Sequence, residues 1–428
     1  MQIERARAVL AGGCDSPVRS AWGVGGPMFL QADARGAYAY DEAGRRYIDY
    51  VMAYGPLLFG HSHPALVAGL DALAAGGFVW GATHPEEIRL AERIRAYLPS
   101  MERLRFVSTG TEAMMSAVRV ARAFTGRSVI LKFAGGYHGH FDLALFDAGA
   151  SAGAGGARSG IPEGVRRDVV VARYDDLASV DERVARTSDQ LAAIVVEPIA
   201  GNMGLVVPGA GFLEGLHERA RRWGALLIFD EVITWLRFGL RGAQGRANML
   251  PDLTALGKIM GGGVPIAAFG GREDVMAVLA PEGAAFTGGT HGGNPFCIAM
   301  AHRVLDLLET HPEYYATMRA VAERLARGIR TLFSERGVTY AVVQQESIVD
   351  FKFRAGPAGR NFDDARAADN GAYAAYYRAM LGRGVLLPPS QNEVMFVSSA
   401  HTAQDVDETL AAMRSYFCGT SHDSNAKS

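Results

Sequence analysis

The stretch KIMGGG, residues 258 to 263, sets a lysine beside three consecutive glycines. An ordinary surface charge is one reading of Lys258. Glycine, however, lets backbone turn sharply or come close to a ligand. The other reading is therefore an enclosed lysine used as an amine and joined to a carbonyl as a Schiff base. Upstream, the apolar run ALLIFDEV, 225 to 232, ends on Asp230 and Glu231. Carboxylates there could bind a metal, form a salt bridge or meet a cationic ring nitrogen. In STGTEA, 108 to 113, Ser108, Gly110 and Thr111 precede or begin a helical pattern. Free N–H groups at a helix start attract phosphate, although plain capping uses the same residues. In GGYHGH, 135 to 140, Tyr137, His138 and His140 lack nearby Cys or acid partners for a metal. A ring stacked on a flat ligand accounts for them better, and a packed aromatic is the alternative.

Pyridoxal phosphate meets all four stretches at once. Its phosphate, ring nitrogen, ring face and aldehyde match the helix start, the strand-end acid, the aromatic and the lysine. An aspartate facing the ring nitrogen keeps that nitrogen protonated by charge attraction.

Such residues need a frame, and the chain reads as an α/β protein. Residues 36 to 49 form a hairpin around a DEAG turn. EEIRLAERIRAYL, 86 to 98, is an amphipathic helix. Short apolar strands at 104–108, 128–133, 192–199 and 225–232 alternate with helices, which implies βα units on a mainly parallel sheet. Ligands bind at the strand ends of such a sheet. From residue 312 the texture changes to a long helix, then β-prone segments and a closing helix from 402. The expected division is 1–55 as part of a small domain, 56–311 as the large domain, 312–417 as the rest of the small domain, and 418–428 as a frayed tail. The Gly/Ala-rich segment 147–164 reads either as a linker or as a loop that closes over the site.

Composition narrows the class. Apolar residues make up 49% and charged residues 21%, as in a soluble protein with a sizeable core, and the net charge is −2. There is no basic run for nucleic acid and no stretch long enough to span a membrane. The N-terminus lacks a signal-peptide pattern, so a cytoplasmic location is expected. Cys14, Cys297 and Cys418 are odd in number and far apart, against a disulfide framework or a zinc site.

The pieces DSPVR, YHGH, EPIAGNMG, IFDEV, LGKIMGGG, GGTHGGNP and PPSQNE occur in order along nearly the whole chain. In them the chain resembles the class III pyridoxal-phosphate aminotransferases, and within that family the glutamate-1-semialdehyde 2,1-aminomutase branch. The resemblance implies transferase fold type I, with a seven-stranded-type, mainly parallel sheet in a large domain. It also implies a smaller α+β domain built from both chain ends, and a homodimer sharing its active sites. Carried over, Lys258 forms the Schiff base and shuttles a proton, while Asp230 pairs with the ring nitrogen. Ser108, Gly110, Thr111, His138, Glu197 and Gly289 belong to the cofactor site, with Thr290 reaching the phosphate from the neighbouring subunit. Tyr137 and Val232 cover the two ring faces, and Asn202 bonds the phenolic oxygen. Ser16, Arg19, Tyr54, Trp235 and Glu393 fall on the substrate side. The Gly/Ala-rich segment falls where the aminomutase has its gating loop.

Departures cluster near the substrate side. Tyr54 stands where the aminomutase pattern has Trp, Trp235 for Gly, Ser108 for Asn and Gly292 for Ser. An indole buries ~150–250 Å², so the expectation is a reshaped cavity, with an outward-turned Trp235 as the alternative. The leading reading is then an aminotransferase exchanging an amine between a small donor and a carboxylate-bearing carbonyl acceptor other than glutamate semialdehyde. A specialised pathway to a cyclic or aromatic amino acid would suit it. The alternative is the aminomutase reaction itself.

Overall fold

The computed structural model describes residues 2–149, 159–356 and 359–419. Strands β1 (Gln31–Arg35), β2 (Tyr38–Asp41) and β3 (Arg46–Asp49) form an antiparallel meander. Asp41 makes the β2–β3 turn: its Oδ1 accepts from Ala43 N and Arg45 N, each at 2.9 Å. Acceptance of this kind is what favours aspartate at turns.

The central sheet has seven strands: β4 (Arg103–Val107), β5 (Val129–Phe133), β6 (Val169–Ala172), β7 (Leu191–Val196), β8 (Leu226–Asp230), β9 (Leu253–Leu256) and β10 (Ala267–Gly271). Their order is β4-β10-β9-β8-β7-β5-β6, and β10 alone runs against the others. Strands β5, β7 and β8 are buried along their whole length, hence their continuous apolar runs. Because β4, β5, β7, β8 and β9 point one way, the loops that follow them open on one edge. Asp230 ends β8, and Ser108, Tyr137, Glu197 and Lys258 lie just beyond the ends of β4, β5, β7 and β9.

Strands β11 (Ala341–Gln345), β12 (Ile348–Lys352) and β14 (Met395–Phe396) form a third sheet, while β13 (Val385–Leu386) pairs in parallel with β3. Both chain ends thus share a sheet. They also share a core, in which Ala21, Ile48 and Tyr50 pack with Ile329, Phe351 and Met413. The closing helix runs Ala403–Gly419, so Cys418 and Gly419 belong to it and not to the expected tail. Residues 150–158 of the Gly/Ala-rich segment lie outside the described residues. Among the described residues no helix is long and apolar enough to cross a membrane.

Candidate active site

Beyond the strand ends lies a cavity of about 200 Å³ lined by Thr109, Gly110, Thr111, Tyr137, His138, Gly139, Glu197, Ile199, Asn202, Asp230, Val232, Ile233 and Lys258. Of the residues singled out in the sequence, nine therefore meet here: Gly110, Thr111, Tyr137, His138, Glu197, Asn202, Asp230, Val232 and Lys258.

The helix Gly110–Thr125 presents its start to the cavity. Thr109 and Glu112 close a reciprocal capping box: Glu112 N donates to Thr109 Oγ1 at 3.2 Å, and Glu112 Oε2 accepts Thr109 N at 3.0 Å and Ser108 N at 2.7 Å. The cap explains Ser108, which does not line the cavity. It leaves the N–H groups of Gly110 and Thr111, both of which line the cavity, outside the capping bonds. A Cβ on Gly110 would come 3.1 Å from both Val232 methyls, and one on Gly139 would strike Thr111 Oγ1 at 2.7 Å. Side chains at these two positions would not fit, and glycine keeps the cradle open for an anion.

Asp230 ends β8 and is buried. Its Oδ2 meets His138 Nδ1 at 2.7 Å, and its Oδ1 accepts Val232 N at 3.1 Å. The neighbouring Glu231 points elsewhere, accepting from Thr234 Oγ1, Ala243 N and Gln244 N at 2.7–2.8 Å. Only one of the two carboxylates lines the cavity, which leaves Asp230 to face a cation there. Behind His138, Glu197 accepts from Tyr137 N, Gly201 N and Asn202 Nδ2 at 2.8–3.0 Å. Burial pushes the Glu197 carboxyl up, against the pull of His138.

Lys258 opens a 3-10 turn, Lys258–Gly261, with its own backbone at φ 47°. A left-handed non-glycine residue is uncommon and costs strain of a kind that gathers at functional sites. The side chain is half-buried and lines the cavity. Burial pushes its amine below the ordinary lysine range, Arg237 adds to this, and Glu393, Asp230 and Glu197 oppose it.

The substrate-side residues are placed differently. Glu393 is buried and close enough to influence Lys258, Tyr137 and Tyr54 electrostatically. Tyr54 is half-buried, and its hydroxyl is pushed up by burial and Glu393 while Arg19 pulls it down. Arg19 is exposed and Ser16 half-buried in the N-terminal segment. Gly289 and Thr290 are exposed and do not reach this chain's cavity.

Trp235 requires a correction. It does not line the cavity, nor does it turn outward. Its indole is 1% exposed in a core with Leu58, Leu236 and Leu256, and Nε1 donates to Leu240 O at 3.0 Å. The backbone turn after Glu231 carries it into the apolar interior, where its area is better buried.

Two residues went unassigned in the sequence, Arg237 and Lys132. Arg237 is fully buried, donating to Gly55 O at 2.7 Å and Ser347 Oγ at 2.8 Å. Lys132, the next-to-last residue of β5, donates to Gly136 O, Ala144 O and Phe146 O at 2.6–3.2 Å. A charged residue inside an apolar run, ITWLRFG or SVILKF, was the available signal in both cases.

An anion cradle, an oriented acid, an aromatic wall and an enclosed amine at the edge of an α/β sheet together fit the phosphate, ring nitrogen, ring face and aldehyde of pyridoxal phosphate. Residues 21–413 match the class III aminotransferase family model, and the chain belongs to that family. A glutamate-1-semialdehyde 2,1-aminomutase from Symbiobacterium thermophilum is 46% identical over 95% of this chain and 94% of its own. Among solved structures, an omega-transaminase from Sphaerobacter thermophilus matches with TM-score 0.88 and 30% identity, covering 97% and 96% of the two chains. A glutamate-1-semialdehyde aminomutase from Pseudomonas aeruginosa PAO1 in complex with PMP matches with TM-score 0.86 and 25% identity over 98% and 93%. The chain is an enzyme, and pyridoxal phosphate is its cofactor.

Proposed function

We propose that this enzyme is an aminomutase, moving an amino group between adjacent carbons of one small carboxylate-bearing substrate, with glutamate 1-semialdehyde as that substrate. The carrying observation is the burial of Trp235. The bulkiest departure from the aminomutase pattern does not face the cavity, which removes the main argument for a different substrate. The 46% identity to an aminomutase over nearly full length points the same way.

Bound pyridoxal phosphate supplies an aldehyde to carry the amine and a ring that accepts electrons from the carbon losing its proton. The chain's residues do the rest. Gly110 and Thr111 hold the phosphate with backbone N–H groups, joined by Gly289 and Thr290 of a second copy. Asp230, fixed by His138 and Val232 N, keeps a proton on the ring nitrogen. Tyr137 and Val232 would enclose the ring, and Asn202, steadied by Glu197, would hold the phenolic oxygen. Lys258 would hold the cofactor's aldehyde carbon through its amine and, as a free amine, would carry a proton at Nζ between the substrate carbon and the cofactor carbon. Arg19, with Ser16, binds the substrate carboxylate, and Glu393 and Tyr54 bound the substrate side. A homodimer in the cytoplasm is part of this proposal.

The test is to supply glutamate 1-semialdehyde with no amino donor and follow formation of 5-amino-4-oxopentanoate. Product without donor is the expected result. No product, together with bleaching of the yellow protein by glutamate alone, would sink the proposal in favour of intermolecular transfer to another small carbonyl acid. Tyr54 in place of Trp and the similarity to an omega-transaminase favour that second reading.

A further inference from the structure

Arg237 is a buried cation with an unusual set of neighbours. Its residue exposure is 1%, and among the described residues it forms no ion pair. Its Nη groups donate only to Ser347 Oγ at 2.8 Å and Gly55 O at 2.7 Å, and its Nε has no partner. The guanidinium carbon lies 4.7 Å from the centroid of the Phe396 ring. A charge removed from water without a carboxylate is costly, so something must retain it.

The contacts on either side supply a reason. Gly55 ends a run of left-handed residues, Met52, Ala53 and Tyr54 at φ 45°, 53° and 66°, with Gly55 itself at 113°. Three successive non-glycine residues in that region are strained. Asp49 Oδ1 grips the start of the run, accepting from Val51 N and Met52 N, and Arg237 grips its end at Gly55 O. Gly55 in turn backs onto the reactive lysine: a Cβ there would lie 3.5 Å from Lys258 Cδ and 3.1 Å from Phe396 Cζ. Arg237, Phe396, Gly55 and Lys258 form one contiguous cluster. The carboxylates acting on Lys258 are Glu393, Asp230 and Glu197, and all favour its ammonium form. Arg237 is the positive group that acts against them. On its far side the titratable neighbour is Tyr315, whose hydroxyl donates to Leu236 O at 2.9 Å.

We infer that Arg237 is a positioning residue of the amine site: its guanidinium, without an ion-pair partner, holds the left-handed turn that carries Tyr54 and backs Lys258 at Gly55, and its fixed buried positive charge works against the ammonium form of that lysine. The inference rests on Lys258 being the reactive amine and is indifferent to which substrate the enzyme takes.

The test reads the amine directly. Cofactor-free protein is pulse-labelled with acetic anhydride across a pH series, and acetylation of Lys258 is followed by mass spectrometry to give its titration midpoint. Arg237→Met should raise that midpoint by about one pH unit, a tenfold fall in neutral amine at a given pH. Arg237→Lys, which keeps a cation, should stay near the parent. An Arg237→Met protein with native circular dichroism and an unchanged midpoint would overturn the inference. Should Arg237→Met not fold, Ser347→Asp sets a carboxylate on the guanidinium and must raise the midpoint; no rise there overturns it equally. Borohydride trapping of the loaded parent at Lys258 checks the underlying role separately, since loss of that adduct indicts the lysine and not the arginine.

Discussion

An indole where glycine is usual invites a specificity argument, and at position 235 the surroundings defeat it. Trp235 sits among Leu58, Leu236 and Leu256 with its N–H satisfied by Leu240 O. Trp235→Gly should therefore cost about 3–5 kcal/mol of stability through the cavity it leaves. Relative kcat/KM for competing carbonyl substrates should stay unchanged. Urea melts and competition assays measure the two; a switch of substrate with little loss of stability would return Trp235 to the active site. Asp230 makes the opposite case, because its partners orient it toward the cavity. Asp230→Asn keeps the shape and removes the charge, so kcat should fall at least about 100-fold, roughly 2.7 kcal/mol. Phosphate-anchored cofactor retention, read by absorbance after gel filtration, should persist. Both residues were visible in the sequence. Their directions were not, since direction depends on where the turn after β8 sends each side chain.

The strands and helices were largely legible, because continuous apolar runs mark β5, β7 and β8 and a Thr–Glu capping pair marks the helix Gly110–Thr125. What the pattern did not disclose was how the connecting loops are held. The loop after β5 carries Tyr137 and His138, and its anchor is Lys132 on the strand itself. Burial pushes the Lys132 amine down to about 7. Against that, the three carbonyls of Gly136, Ala144 and Phe146 match the three N–H donors of an ammonium. Lys132→Met would leave those carbonyls unpaired in the interior. Stability should fall by about 3 kcal/mol, and cofactor affinity should fall with it as the Tyr137–His138 loop loosens. Equilibrium urea unfolding and a cofactor titration check both; intact affinity would show that the loop stands without its lysine. The left-handed run Met52–Tyr54 was equally hidden, since nothing in Met-Ala-Tyr favours that backbone and only its distant partners impose it.

At the scale of the whole molecule, the chain brings its two ends together around one core and opens its parallel strands onto one cavity, yet part of the expected site lies outside that cavity. Gly289 and Thr290 are exposed, on the same segment as Phe286, which is 73% exposed. Phe78 and Trp80 are also exposed, at 57% and 49%. Exposed apolar surface is what an interface buries, and in the homodimer proposed above a second copy would cover these aromatics and deliver Thr290 to a phosphate. Motif likeness could point to such sharing, whereas no periodicity in one chain can reveal it, because such a surface would be assembled from segments far apart in the sequence. Phe286→Asp places a charge in that surface without touching the cavity. Sedimentation velocity should show the parent as a dimer and the variant shifted toward monomer at micromolar concentration. Cofactor should dissociate at least about tenfold more readily from the variant, about 1.4 kcal/mol, because the phosphate would lose the contacts of the second copy. A monomeric variant that holds its cofactor as tightly as the parent would mean that each chain completes its own phosphate site, and that Thr290 has no part in it.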